Sequence, residues 1–170
     1  KFFNKGKINP GSESNLFGTL TFEGNLINEG TIELDINKSQ SDNLILKELT
    51  LGGSLVIKPS VNFYSGNTSY ALLDFQKKNG LEFDNFEIDR TNLGRLRHEL
   101  IYRDKSIDLN LFNPSYENLG NNSKSKTVGR YLDLFTENTS IKFQSILDQI
   151  NYVSSDNEAS RHIENLVLNN

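Results

Sequence analysis

From residue 2 to about residue 112, apolar and polar residues alternate along the chain with the two-residue period that is typical of β-strands. In the simplest example, Ile32, Leu34 and Ile36 would lie on one face of a strand, with polar residues between them on the other face. Glycine, asparagine and proline separate the apolar runs, and these residues favour tight turns. The first two thirds of the chain are therefore predicted to form short strands joined by turns.

One short motif occurs three times in this region: a glycine, a hydroxyl residue and two apolar residues in alternation. Its copies are Gly18–Phe22, Gly30–Leu34 and Gly53–Ile57, and the last has Val56 at a polar position. The opening glycines lie 12 and then 23 residues apart, which suits a coil of about 20 to 25 residues per turn. Stacked turns would enclose an apolar column that a single strand cannot form, so the repetition predicts a scaffold. A β-sandwich is the alternative that periodicity leaves open.

The pattern becomes helical in the last third of the chain. Residues 115–126 are mostly polar and predict an exposed linker. Beyond them, apolar residues at helical spacing predict three short amphipathic helices. The first two series are Val128, Tyr131, Leu132 and Phe135, then Phe143, Ile146, Leu147 and Ile150. Thr139 or Ser140 would cap the second helix, and a capping box at Ser155–Glu158 would start the third.

These patterns divide the chain into strand turns with their cap (1–114), a polar linker (115–126) and a helical segment (127–170). Within the coil, a set of apolar residues is predicted to form the folding core: Leu20, Phe22, Ile32, Leu34, Ile36, Leu55 and Ile57.

Composition narrows the function classes. The 170 residues carry a net charge of −4, and the 18 Lys and Arg residues are scattered, so nucleic acid is not expected as a partner. Cysteine is absent, which excludes disulfides, thiolate nucleophiles and Cys-type zinc sites. No apolar run approaches the roughly 18 residues of a membrane span. Because the chain opens on Lys1 inside a predicted strand, we interpret it as a piece of a longer protein.

Five sequence blocks follow one another in a distinctive order: INPG (Ile8–Gly11), GTLTFEGNLINEGTIELDI (Gly18–Ile36), SDNLIL (Ser41–Leu46), LGGSLVI (Leu51–Ile57) and YALLDF (Tyr70–Phe75). In this order they resemble the C-terminal passenger segment of Gram-negative type V autotransporters of the pertactin-like kind. The resemblance covers roughly residues 6–112. The helical tail is similar to the family's helical segment between passenger and translocator.

The resemblance implies a right-handed parallel β-helix (β-solenoid) with a short C-terminal α-helical tail. In that family the C-terminal turns fold first outside the cell and template the rest, which is the autochaperone role. The implied function is a non-enzymatic stem or folding module that supports secretion and display of a virulence factor. Residues 76–106 are more charged than the family's last turns, and we expect them to form a capping β-hairpin over the open sheet edge.

The resemblance also implies a location and partners. The protein would be secreted or displayed on the surface of a Gram-negative bacterium after periplasmic transit, where a disulfide would stop threading. Its partners would be the upstream passenger, a β-barrel translocator after Asn170 and, in an adhesin, a host-cell receptor.

Two other functions stay open on the residues alone. In an adhesin or toxin, this piece would itself bind host cells through exposed Phe83 and Phe86, although these rings could instead plug the end of the apolar column. In a β-helical carbohydrate-active enzyme, Glu33 and Asp35 would act as general acid and base from one strand face. The same carboxylates could simply lie on a solvated face.

The remaining candidates for chemistry are isolated residues. Asp42 could bind calcium, or its side chain could accept hydrogen bonds from backbone amides in a turn. His98 and His162 each stand alone, which argues against a metal site and a Ser-His-Asp triad. Nucleophile-elbow and phosphate-loop motifs are absent from the sequence. We therefore predict no catalytic site, no metal and no cofactor.

Overall fold

The computed structural model describes residues 1–11, 17–62, 64–134, 141–153 and 155–168. Within these residues, the strands are β1 Phe2–Asn4, β2 Lys7–Ile8, β3 Thr19–Asn28, β4 Thr31–Ile36, β5 Asn43–Thr50, β6 Ser54–Pro59, β7 Thr68–Asn79, β8 Asn85–Ile88, β9 Arg97–Tyr102 and β10 Ser106–Phe112. The helices are α1 Ser123–Leu134, α2 Ile141–Tyr152 and α3 Asp156–Leu168, and a 3₁₀ turn covers Glu117–Leu119.

The strands form two sheets, and the chain alternates between them. Sheet 1 has the order β1-β3-β5-β7-β10-β9, and sheet 2 has the order β2-β4-β6-β8. The pairs among β1, β3, β5 and β7 are parallel, as are those among β2, β4, β6 and β8. The protein is thus mainly β with parallel sheets and three helices, which is compatible with a β-solenoid and differs from the antiparallel sheets of a β-sandwich.

The strand register gives the length of chain between stacked positions. Phe2 pairs with Leu26 in sheet 1, and Lys7 pairs with Thr31 in sheet 2, so the two sheets repeat after the same length of chain at this turn. Farther along sheet 2, Thr31 pairs with Ser54, and Ser54 pairs with Asn85. The first two of these steps in sheet 2 agree with the predicted length of a turn. The step to Asn85 is longer, because a long connection joins the end of β6 at Pro59 to the start of β7 at Thr68.

The three copies of the glycine motif do not all stack on one another. The copies that open at Gly30 and Gly53 lie side by side in β4 and β6. The copy that opens at Gly18 runs into β3, which belongs to sheet 1. The shorter spacing, from Gly18 to Gly30, therefore marks the crossing from one sheet to the other.

The motif glycines are needed because backbones of successive turns touch at the corners. A methyl group on Gly30 would overlap the carbonyl oxygen of Gly6, and one on Gly53 would overlap that of Gly30. Gly18 is crowded by the carbonyl oxygen of Pro10, which lies only eight residues earlier in the chain and not one turn away. Only glycine leaves room for this approach.

Buried asparagines accompany these corners. Asn4 and Asn28 are buried, and the Asn4 side-chain amide donates a 2.6 Å hydrogen bond to the Asn28 side-chain oxygen. Asn28 in turn donates to the carbonyl oxygen of Gly52 at 2.6 Å. Each asparagine lies two positions before a glycine, in the sequence Asn-x-Gly, and its side chain links neighbouring turns.

Most of the predicted core residues are fully buried: Ile32, Leu34, Ile36, Leu55 and Ile57. Leu20 and Phe22 are only partly buried, and the Phe22 ring lies 5.4 Å from that of Phe2. The difference follows from pairing. As far as the structure is described, β1 pairs with β3 at residues 26–28 only, so the first half of β3 is paired with β5 alone.

The hairpin overlaps only the end of the predicted range 76–106 and extends beyond it. Residues 85–88 continue sheet 2 as β8, parallel to β6. The hairpin is instead β9–β10, closed by a short turn in which the Arg103 N–H donates to the Ser106 carbonyl at 2.8 Å. A connection this short allows only antiparallel pairing. The prediction rested on the many charged residues in 76–106, and charge alone does not distinguish a parallel strand such as β8 from one strand of a hairpin.

The chain divides into two compact units that differ from the predicted domains. One comprises residues 1–62, 69–92 and 99–110, and the other comprises residues 63–68, 93–98 and 111–170. The second unit therefore includes two loops from the strand region in addition to the helices. Its buried cluster consists of Tyr116, Leu119, Leu132, Leu147, Ile150, Ala159 and Ile163.

Most polar residues of the segment 115–126 are exposed, as its composition predicts, but its apolar residues Tyr116 and Leu119 are buried. Tyr116 is fully buried, and its backbone N–H donates to the Asp133 carboxylate at 2.7 Å. Asn122 and Ser125 cap α1 reciprocally, because each side-chain oxygen accepts the other residue's backbone N–H, at 2.9 and 3.1 Å. Asn122 and Ser125 thus close the start of α1, while Asn122 and most other polar residues of the segment are also exposed to solvent.

The three predicted helices are present, and one of the predicted helix caps can be compared with the structure. Ser155 caps α3 as expected, since its hydroxyl oxygen accepts the Glu158 N–H at 3.3 Å. Phe135 of the first predicted series and the predicted caps Thr139 and Ser140 lie outside the described residues.

We predict that Gly30→Ala destabilises the fold, by about 1–3 kcal/mol, because its methyl group would overlap the Gly6 carbonyl oxygen. Denaturant unfolding of the variant and the wild type would measure the difference. Gly24→Ala is the matched control, since no atom lies within 4 Å of a methyl group there. Equal stability of the two variants would contradict the role assigned to the corner.

Candidate functional site

The paired carboxylates lie on the outer face of sheet 2. Glu33 and Asp35 project from β4, between the buried Ile32, Leu34 and Ile36. The Lys7 ammonium donates to Glu33 at 2.9 Å. The Asn9 side-chain amide lies 3.3 Å from Glu33 and 3.2 Å from Asp35, so one nitrogen donates to both carboxylates.

This environment favours a charged Glu33. The hydrogen bond from Lys7 lowers the pKa of Glu33, with a further contribution from Asn9 and against the effect of partial burial. A general acid needs the opposite, a raised pKa that keeps the proton at neutral pH. The arrangement suits an ion-paired ladder across the turns better than an acid–base pair. Lys7 and Asn9 were missed in the sequence, and only the register of β2 and β4 brings them beside these carboxylates.

Sheet 1 also carries a carboxylate that accepts hydrogen bonds from lysine and asparagine side chains of neighbouring turns. Glu48 on β5 accepts hydrogen bonds from Asn79 at 2.7 Å and Lys77 at 3.2 Å, and Asn25 of the preceding turn also donates to it. The bonds from Asn79 and Lys77 lower the pKa of Glu48. Acidic residues that bridge successive turns are thus a feature of both sheets.

Asp42 is the one fully buried carboxylate of the described residues, and its two oxygens join two separate segments. One oxygen accepts the backbone N–H of Gly18 at 2.8 Å, and the other accepts that of Asp35 at 2.9 Å. The Asp42 N–H also donates to the Asp35 carbonyl at 2.8 Å. The side chain therefore binds backbone amides, which is one of the two predicted alternatives. These amides belong to β4 and to Gly18, just before β3, and not to the turn that contains Asp42.

The geometry around Asp42 leaves little for a cation. Both oxygens face N–H groups, whose partial positive charge opposes a calcium ion. Burial raises the pKa of Asp42, and the two amide hydrogen bonds oppose that effect. No group of three or more His, Cys, Asp or Glu residues that could hold a metal occurs within the described ranges.

Phe83 and Phe86 both belong to the interior side of the strand unit. Phe83 is 7% exposed, its ring lies 6.5 Å from that of Tyr102, and its N–H donates to the Tyr102 hydroxyl at 3.2 Å. Phe86 on β8 is in register with the buried Leu55 and is partly exposed because β8 ends sheet 2. Neither ring forms the exposed aromatic patch that direct partner binding would use.

The two histidines lie far apart in the sequence and in different elements. His98 lies on β9 and His162 on α3, and both are partly buried.

Comparisons with protein-family models, curated proteins and solved structures found no match to this chain. None of the helices, as far as the structure describes them, has the length and hydropathy needed to cross a membrane.

We expect Lys7→Gln to raise the pKa of Glu33 toward its ordinary value of 4.5, because a neutral amide replaces the charged donor that does most to lower it. A group with a lowered pKa stabilises the fold above the unfolded value and loses that effect as the pH falls through the folded value. The variant should thus be less stable at neutral pH, by about 0.2–1 kcal/mol, and equal to the wild type at acid pH. NMR titration of Glu33, with Lys58→Gln as the weaker control, would measure the shift. An unchanged Glu33 titration would contradict the ladder.

We expect Asp42→Asn to destabilise the fold at neutral pH by about 1–3 kcal/mol, because its amide group would turn a donor toward a backbone N–H. Asp84→Asn is a suitable control, since exposed Asp84 also accepts one backbone N–H, that of Gly53, at 2.6 Å. Urea unfolding at pH 7 would compare them. If Asp84→Asn cost as much as Asp42→Asn, burial would not be the reason.

Asp42 also predicts a pH dependence. Its pKa is raised by burial, so the folded state binds a proton more tightly than the unfolded state, whose value is near 3.8. The contribution of Asp42 to the stability of the folded state therefore becomes more favourable as the pH falls through the pKa that Asp42 has in the folded state.

Proposed function

We propose that this chain is a non-enzymatic segment of an autotransporter passenger. It would act as a stable C-terminal folding module or stem that supports export and display of the upstream passenger. In this proposal, its strand unit is a right-handed parallel β-helix, and the protein is displayed at the surface of a Gram-negative bacterium.

The observation that carries the proposal is the register of the parallel strands. At the first turn, the two sheets repeat after the same length of chain, and the chain passes from one sheet to the other within each repeat. Parallel strands that alternate between two sheets are what a coiled chain produces, and the strong preference for right-handed connections supports that hand. Parallel strands in this arrangement are compatible with the β-helix that the family resemblance implies.

The interior supports a scaffold role. Core residues from successive turns stack in columns in sheet 2, with Ile32 beside Leu55 and Leu34 beside Ile57. All four are fully buried. Such columns grow by one layer per turn, so each turn is stabilised by its neighbours.

The surface chemistry supports a non-enzymatic reading. Asn9 of the preceding turn donates to both Glu33 and Asp35, and Lys7 donates to Glu33, which favours a structural ladder. Direct host binding through Phe83 and Phe86 gains no support from their positions, and we do not propose it.

A denaturant unfolding curve of residues 1–170, followed by far-UV circular dichroism, tests the proposal. A folding module must fold without upstream help, so we expect one cooperative β-type transition at high denaturant. A broad or absent transition would overturn the folding-module role.

Leu34→Ala should lower the stability of the chain by about 2–5 kcal/mol, because it removes a fully buried side chain from the column. Leu81→Ala makes the same chemical change at a residue that is 85% exposed, and we expect it to be nearly neutral. Protease resistance of the two variants would provide a second readout. Similar losses for both would show that the column is not the source of stability.

A further inference from the structure

Among the described residues of the second compact unit, two polar side-chain atoms are buried without a protein partner. They are Nη1 of Arg95 and Oδ1 of Asn151. The Arg95 side chain is 8% exposed, and Asn151 is 3% exposed. One atom is a donor and the other an acceptor, so their requirements are complementary.

The backbone of this region brings the two residues together. The Arg95 N–H donates to the Asn151 carbonyl at 2.7 Å. Gly94 makes this approach possible, because its φ of +55° suits glycine and a methyl group there would overlap the same carbonyl oxygen. The loop at residues 93–98 is thus pressed against the end of α2.

Other contacts hold both side chains in place. The Arg95 Nε donates to Asp156 at 2.9 Å. The Asn151 Nδ2 donates to the Asn113 side-chain oxygen at 2.7 Å and to the Tyr116 hydroxyl at 2.8 Å. In this arrangement the Asn151 Nδ2 faces both protein acceptors, and Oδ1 is the atom without a protein partner.

The ligand that fits must accept a hydrogen bond from a guanidinium and donate one to an amide oxygen. A water molecule does both, and buried waters commonly bridge polar groups that lack protein partners. An anion would accept from Arg95 but would be repelled by the lone pairs of Asn151 Oδ1. The nearby Asp156 carboxylate also compensates the Arg95 charge, which disfavours a second negative group.

We propose that a structural water molecule binds between Arg95 Nη1 and Asn151 Oδ1 and completes the polar junction of loop 93–98, α2 and α3. The junction also includes Tyr116, whose pKa is raised by burial. This site is independent of the function proposed above.

A crystal structure of residues 1–170, at a resolution that shows ordered solvent, tests the site directly. We expect one solvent peak at about 2.7–3.2 Å from both Arg95 Nη1 and Asn151 Oδ1. A direct contact between these two atoms, or a peak that bromide replaces in a soaked crystal, would overturn the proposal.

Variants test the same site in solution through the nuclear Overhauser effect between water and the Asn151 side-chain amide. Arg95→Met keeps most of the side-chain length but removes the donor, so the water signal should be lost. Asp156→Asn alters the ion pair but leaves both water-binding atoms, so the signal should persist. Loss of the signal in both variants, or its persistence in Arg95→Met, would contradict the assigned bridge. If Arg95→Met fails to fold, the wild-type crystal structure still decides.

Discussion

Successive turns of the strand unit meet backbone to backbone at the corners between the sheets, and the rest of that unit depends on this contact. Gly53 lies against the carbonyl of Gly30, and Gly30 lies against that of Gly6. A side chain at either position would push the turns apart and lengthen the hydrogen bonds of the neighbouring strands. The close approach thus sets the register of β2, β4 and β6, which in turn aligns the buried leucines and isoleucines into columns.

Burial of the columns does not by itself select one register, because the hydrophobic effect has no direction. Directional bonds supply that selection. Asn4 binds Asn28 and Asn28 binds Gly52 across successive turns, while Asp42 holds the backbone of Gly18 and Asp35. A slip of one residue would leave these buried groups unpaired and would also turn every inward side chain outward. The buried polar groups therefore specify the stacking that the apolar groups stabilise.

The second compact unit uses the same division of roles with helices. Its apolar cluster lies around Tyr116, Leu147 and Ile163, while polar side chains set how segments meet. Asp133 accepts the backbone N–H groups of Tyr116 and Glu117. A methyl group on Gly129 would overlap the Tyr116 carbonyl oxygen, so close packing again requires a glycine. Polar contacts thus help to order the segment 115–126, which is rich in serine and asparagine.

Local rules account for what could be predicted. Alternation placed Ile32, Leu34, Ile36, Leu55 and Ile57 in the core, and helical spacing with the Ser155 cap predicted the helices, because both depend on residues that are close neighbours in the sequence. The candidate site was predictable only in part. Glu33, Asp35 and Asp42 are visible as acidic residues, but their partners Lys7, Asn9 and Gly18 belong to the preceding turn, far from them in the sequence.

The sequence by itself determined the period of the strands, the core-facing side of β4 and β6 and the presence of three helices, since backbone geometry imposes these on any chain with this pattern. Only the tertiary structure decided which sheet each glycine motif enters, that β8 is a parallel strand and not half of a hairpin, and that Tyr116 and Leu119 join the buried cluster of the second unit. Those outcomes depend on register and on contacts between distant segments, and neither leaves a periodic signal in the residues themselves.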